Sequence, residues 1–123
     1  MNVDHVALNV TNLDERVATF RELGLTVRRE GTLTSDRTRR IVMLSDGAGF
    51  KLELIESSAD EFAHVAMAAD DVDQTFGDFE RAGLVPVRPP HRLEPARARS
   101  AMLSDEFGLT VQLVCYDDDS PDR

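Results

Sequence analysis

Four side chains in this sequence stand where they could act on one small molecule together. His5 and His64 are separated by 59 positions, and so are Glu53 and Gln112. Two imidazoles, a carboxylate and an amide oxygen are donors that suit a divalent cation. The carboxylate can also take a proton from carbon, which the amide cannot. A single strand histidine is ordinarily a hydrogen-bonded structural residue. It is the shared spacing, not any one residue, that argues for a site.

The spacing belongs to the whole chain. At the same offset Val6 meets Val65, Asp14 meets Asp73, Phe20 meets Phe79 and Gly24 meets Gly83. Met43-Leu44-Ser45-Asp46 likewise meets Met102-Leu103-Ser104-Asp105, with no gap anywhere. One structural module is therefore written twice. Within it, Val6, Leu8 and Val10 alternate with His5, Ala7 and Asn9, the period of a half-buried strand. Thr11 or Asn12 is placed to cap a helix, with Asp14 and Glu15 in its first turn. Leu13, Val17 and Phe20 recur at helical spacing up to Gly24. Strands are expected at Leu25–Glu30, Arg39–Ser45 and Phe50–Glu56, and Phe50 is expected in the core. The second copy repeats these signals, except that Pro86–Pro95 reads as an irregular loop.

These patterns predict an α+β fold of two tandem βαβββ modules. They form a curved eight-stranded mixed sheet around a cleft, with the helices outside. A single domain spans 1–116, made of repeats 1–57 and 60–116, and 117–123 reads as an acidic disordered tail. In every strand the apolar set has a helix to pack beneath. The other set, holding His5, Glu53, His64 and Gln112, would line the cleft. Asn9 shares a face with His5, and Arg40 and Arg99 are repeat partners on strands that could reach the cleft and grip an anion. These three are the candidate substrate-binding residues.

The net charge of −9 over 123 residues excludes a nucleic-acid partner, since phosphates demand a basic face. No apolar run is long enough to cross a bilayer, and the first residues do not read as a secretory leader. Cys115, the lone cysteine, allows no internal disulfide and fits a reducing compartment. A cytoplasmic protein is expected.

The arrangement resembles the vicinal oxygen chelate superfamily, the fold of glyoxalase I, methylmalonyl-CoA epimerase, extradiol dioxygenases and the bleomycin resistance proteins. The resemblance is carried by Asp4-His5-Val6-Ala7-Leu8, Gly49-Phe50-Lys51-Leu52-Glu53-Leu54, Ala63-His64-Val65-Ala66 and Gly108-Leu109-Thr110-Val111-Gln112-Leu113. It implies metal ligands at His5, Glu53, His64 and Gln112, with Zn, Ni, Co, Mn and Fe undistinguished. It also implies a homodimer and a small oxygenated substrate. The reaction would be lyase, isomerase or epimerase chemistry through an enolate or oxyanion that the metal stabilises. Metal enzymes of this superfamily most often carry Glu at the last ligand position, here Gln112. Glu53 is then the one ligand-position carboxylate able to move a proton. Two alternatives follow from the same resemblance. One is a metal-free protein that binds a small molecule or antibiotic. The other is a non-haem iron dioxygenase, although that class places its carboxylate at the position of Gln112.

Overall fold

Along β1 (Asn2–Val10) the residues alternate between two environments. Leu8 and Val10 join an apolar core beneath the first helix, while Ala7 faces the other way. This period of two, repeated from strand to strand, sets which side chains can meet. The computed structural model describes residues 1–123. The elements that follow are α1 (Leu13–Glu22), β2 (Thr26–Thr32), β3 (Arg40–Ser45), β4 (Lys51–Glu56) and β5 (Glu61–Ala68). They are completed by α2 (Val72–Arg81), β6 (Val85–Leu93), β7 (Ala98–Ser104) and β8 (Thr110–Tyr116). Strand, helix and three strands occur twice, which is the α+β tandem arrangement that the 59-residue offset predicts.

The chain divides into two compact units. One comprises residues 5–63 with Asp122; the other comprises 1–4, 64–121 and Arg123. In the first, the strand order is β2-β3-β4-β1. β1 runs parallel to β4, and the β2/β3 and β3/β4 pairs are antiparallel. Val10, Leu13, Val42, Leu44, Leu52 and Leu54 form its core, with Val17 and Phe20 of α1 against them. The opposite sheet face carries a smaller cluster of Ala7, Ile41 and Ile55. In the second unit the order is β5-β8-β7-β6, with β5 parallel to β8. Val72, Leu103 and Leu113 lie under Phe76 and Phe79 of α2, and Ala66, Ala98 and Val114 occupy the other face.

Both helices stop the same way. Leu25 N–H bonds to the Phe20 carbonyl and Gly24 N–H to the Arg21 carbonyl, and Leu84, Phe79, Gly83 and Glu80 repeat the pair of bonds. This closure needs a left-handed residue just past the helix, and Gly24 and Gly83 have φ of 102° and 106°.

Four expectations are corrected. Asn12 precedes α1 with φ 52° and gives no side-chain cap. The approach to α1 is tied instead to Asp60, which accepts from Thr11 N–H at 2.8 Å, ahead of the helix, and from the Arg16 guanidinium at 2.7 Å. Asp71, in contrast, caps α2 directly through the Gln74 N–H. Phe50 lies outside the core; it precedes β4 and is 48% exposed. The proline-rich stretch is mostly strand. β6 runs from Val85 to Leu93 with register shifts on either side of Arg88, and it ends its strand order. An edge strand leaves unpaired positions for residues without an N–H, which is how Pro86, Pro89 and Pro90 are accommodated. Finally, the 117–123 segment is not frayed. Asp122 is 2% exposed and Ser120 8%, held by polar contacts described below. No helix is long and apolar enough to cross a membrane.

Candidate metal and active site

Each unit presents one imidazole and one oxygen donor on the sheet face away from its helix. In the unit of residues 5–63, the parallel register sets Ala7 opposite Glu53. His5 precedes Ala7 by two positions and so shares its face. The donor atoms of His5 and Glu53 lie within 4.8 Å of each other. His5 is 3% exposed, and its Nε2 is shut off from solvent. Across the β3/β4 pair Glu53 stands opposite Met43, a fully buried side chain. An imidazole and a carboxylate in an apolar setting are suitable first ligands for a divalent ion.

In the second unit the parallel register sets Ala66 opposite Gln112, and His64, two residues earlier, is again on that face. His64 and Gln112 are both buried, and His64 Nε2 is shut off from solvent. The Gln112 amide nitrogen donates to Ser100 Oγ at 2.9 Å. The amide thereby turns its carbonyl oxygen, the end that can bind a cation, away from Ser100. Ser100 is a residue the sequence reading missed. It is buried at 1% exposure, and its repeat partner is Ile41. That polar-for-apolar difference between copies was the available signal.

The remaining candidates behave differently. Asn9 is on the His5 face, and its Oδ1 accepts from Arg39 Nη2 at 3.0 Å while Arg39 Nε donates to the Glu56 carbonyl. Arg40 and Arg99 are corrected: both lie on the helix-side face. Arg40 alternates with the core residues Val42 and Leu44, and Arg99 with Ala101 and Leu103. Arg40 donates to Asp14 and Glu56, and Arg99 donates to Asp73 through two bonds. Asp14 and Asp73 are themselves repeat partners, so the duplication preserved a tie between β3 or β7 and the start of its helix. The Arg40 hydrogen bonds hold the Glu56 carboxyl below its ordinary value, and those of Arg99 do the same for Asp73. These are exposed structural pairs, and their guanidinium groups are already engaged.

The geometry can be set beside known proteins. A family model described as Glyoxalase/Bleomycin resistance protein/Dioxygenase superfamily matches residues 2–113. No curated protein matches the sequence. Among solved structures, the chain is similar to methylmalonyl-CoA epimerase from Mycobacterium tuberculosis, at 19% identity and a TM-score of 0.80, covering 94% of this chain and 88% of that one. It is similar to a variant of Streptomyces coelicolor methylmalonyl-CoA epimerase in complex with 2-nitronate-propionyl-CoA, at 22% identity, a TM-score of 0.79 and coverage of 98% and 97%. A hypothetical protein of Bacillus halodurans is comparable, at 18% identity, a TM-score of 0.79 and coverage of 97% and 96%. At these identities the likeness is one of fold.

Proposed function

We propose that this chain, which belongs to the Glyoxalase/Bleomycin resistance protein/Dioxygenase superfamily, is a metal-dependent epimerase or isomerase acting next to the carbonyl of a small oxygenated acyl substrate. The observation that carries this reading is the pairing of buried His5 with Glu53, donor atoms within 4.8 Å, on adjacent parallel strands. Structural neighbours that are epimerases support the reaction class. His5 and Glu53, joined by His64 and Gln112, would hold one divalent ion. When bound, such an ion draws electron density from neighbouring substrate oxygens and so acidifies the carbon beside them.

The work of this chain is then the proton. A Glu53 carboxylate oxygen takes hydrogen from the carbon next to the carbonyl. The C–H electron pair becomes a carbon–carbon double bond, and the negative charge passes to the carbonyl oxygen. The planar enolate then turns its other face to the Glu53 carboxylic acid, which gives a proton back to the same carbon and so inverts it. Met43, Ile41 and Ile55 share this sheet face and give the carboxylate an apolar setting, while exchange of its acquired proton with solvent between turnovers carries solvent hydrogen to the carbon. The dioxygenase reading requires a carboxylate at position 112, and Gln112 supplies an amide.

The direct test uses protein reconstituted with Co, Mn, Ni or Zn and offered methylmalonyl-CoA in deuterated water. Metal-dependent incorporation of deuterium at the α-carbon is the expected result. Absence of exchange with every metal, alongside saturable binding of the thioester, would favour the sequestering alternative. Ser100→Ala provides a second check. Without its hydroxyl the Gln112 amide loses the bond that orients it, and metal affinity should drop by about 10- to 100-fold. Competition with a chromogenic chelator measures this; an unchanged affinity would remove Gln112 from the ligand set or Ser100 from its support.

A further inference from the structure

Two cations, one buried and one partly buried, share the Glu53 face, and the proton transfer does not use them. Lys51 lies two residues before Glu53 on β4, so its Cα is about 7 Å away on the same side of the strand. Arg29 stands opposite Met43, which stands opposite Glu53, placing all three in one row across the sheet. Lys51 is 8% exposed and the Arg29 side chain 13%. A guanidinium and an ammonium withdrawn from water to this degree call for an anion between them.

The chain itself provides one. Asp122 Oδ1 accepts from Arg29 Nε and Oδ2 from Arg29 Nη2, both at 2.9 Å. Lys51 Nζ donates to the Asp122 backbone carbonyl at 2.5 Å. The Arg29 contact is the planar two-bond fork by which arginine recognises carboxylates. Polar contacts hold this segment along its length. Residues 117–123 are Asp117-Asp118-Asp119-Ser120-Pro121-Asp122-Arg123, and the bond from Ser120 Oγ to the Ala96 carbonyl is another polar tie. The duplication copies half of the feature: Arg88, the repeat partner of Arg29, stands opposite Met102, which stands opposite Gln112, whereas Thr110 is the repeat partner of Lys51. The ammonium therefore accompanies Glu53 alone.

We propose that Arg29 and Lys51 form a binding subsite for a carboxylate of the substrate, and that Asp122 occupies it as an internal stand-in which the substrate displaces. The inference rests on the reading of Glu53 as the proton-transfer group, because that is what makes a cationic pocket one short acyl chain away useful. It narrows the substrate class to acyl compounds bearing a second, free carboxylate. An intramolecular carboxylate competes at an effective concentration on the order of millimolar, so the wild type should bind small carboxylates weakly.

The test uses the whole chain without metal, which separates it from the metal-dependent reading. Malonate is titrated calorimetrically into wild type, Asp122→Ala and Asp122→Ala/Arg29→Gln, with thermal midpoints recorded in parallel. Malonamide and sodium chloride at matched ionic strength are the controls. Asp122→Ala is expected to lose thermal stability and to recover it saturably with malonate, binding at least tenfold more tightly than wild type. Neither control should restore it, and the Arg29→Gln change should abolish the recovery. Should Asp122→Ala not fold, Asp122→Asn carries the same titration with the shape of the side chain kept. Failure of malonate to bind saturably, binding that survives Arg29→Gln, or equal binding by wild type would each overturn the proposal and leave a structural ion pair. If malonate rescue succeeds while the deuterium exchange fails, the subsite stands and the epimerase reading falls.

Discussion

Replacing His5 and His64 together with alanine is expected to abolish stoichiometric metal binding while leaving the fold intact. Both histidines are buried, with Nε2 atoms that solvent does not reach, and imidazole is the strongest neutral ligand available to such an ion. The amide and carboxylate that remain are too weak a pair to retain it through dialysis. The fold should persist because the cores beneath the helices are on the opposite sheet faces, centred on Leu44 and Leu54 in one unit and on Leu103 and Leu113 in the other. Alanine at either position is smaller than what it replaces and meets small neighbours at Ala7 and Ala66, so no clash is introduced. Elemental analysis after reconstitution, paired with far-ultraviolet circular dichroism, reads both quantities. A double variant that holds as much metal as wild type would end the reading, as would a wild type that holds none.

Glu53→Gln is expected to lower the rate of α-proton exchange by about 10²- to 10⁴-fold, the usual contribution of a positioned proton-transfer group. The change keeps size and an oxygen ligand but removes the proton acceptor. It also makes positions 53 and 112 chemically identical, erasing the one break in the duplicated ligand set. The combined Glu53→Gln/Gln112→Glu variant sharpens the point, because it restores the donor composition with the carboxylate in the other copy. Metal content should return in that variant and exchange should not. Lys51 flanks position 53, whereas Thr110 flanks position 112, and Ser100 is a hydrogen-bond donor as well as an acceptor that would hold a carboxylate in place of the amide. Exchange by Glu53→Gln within about twofold of wild type would show that another group moves the proton.

Much of this molecule was legible because its signals are local or repeated. The alternation of β1 assigned His5 and Leu8 to opposite faces, and the structure agrees through Ala7 and Leu8 in separate clusters. Gly24 and Gly83 marked the helix ends correctly because the closing turn needs a positive φ within a few residues of the last helical carbonyl. The offset of 59 identified Glu53 and Gln112 as equivalent before any strand register was known, and the registers Ala7 with Glu53 and Ala66 with Gln112 are indeed equivalent.

The misread residues share a cause. In β3 every residue from Ile41 to Ser45 is buried, so the strand shows no alternation, and the side taken by Arg40 could not be read from its neighbours. Only packing against α1 decided it, which put the guanidinium beside Asp14. Ser100 looked unremarkable until the register brought Gln112 within hydrogen-bond reach. The 117–123 segment has the composition of a solvated tail, and its order comes from partners distant in sequence: Arg92 and Ala96 hold Asp117 and Ser120, and Arg29 and Lys51 hold Asp122. Sequence by itself determined the doubled module, the faces of the clearly alternating strands and which polar residues are repeat partners, because periodicity and repetition are written in nearest neighbours. Tertiary structure alone decided which cations are spent on structural pairs, what orients Gln112 and what Asp122 binds. Those outcomes depend on charges and hydrogen-bond partners meeting across long stretches of chain, where no local pattern records the encounter.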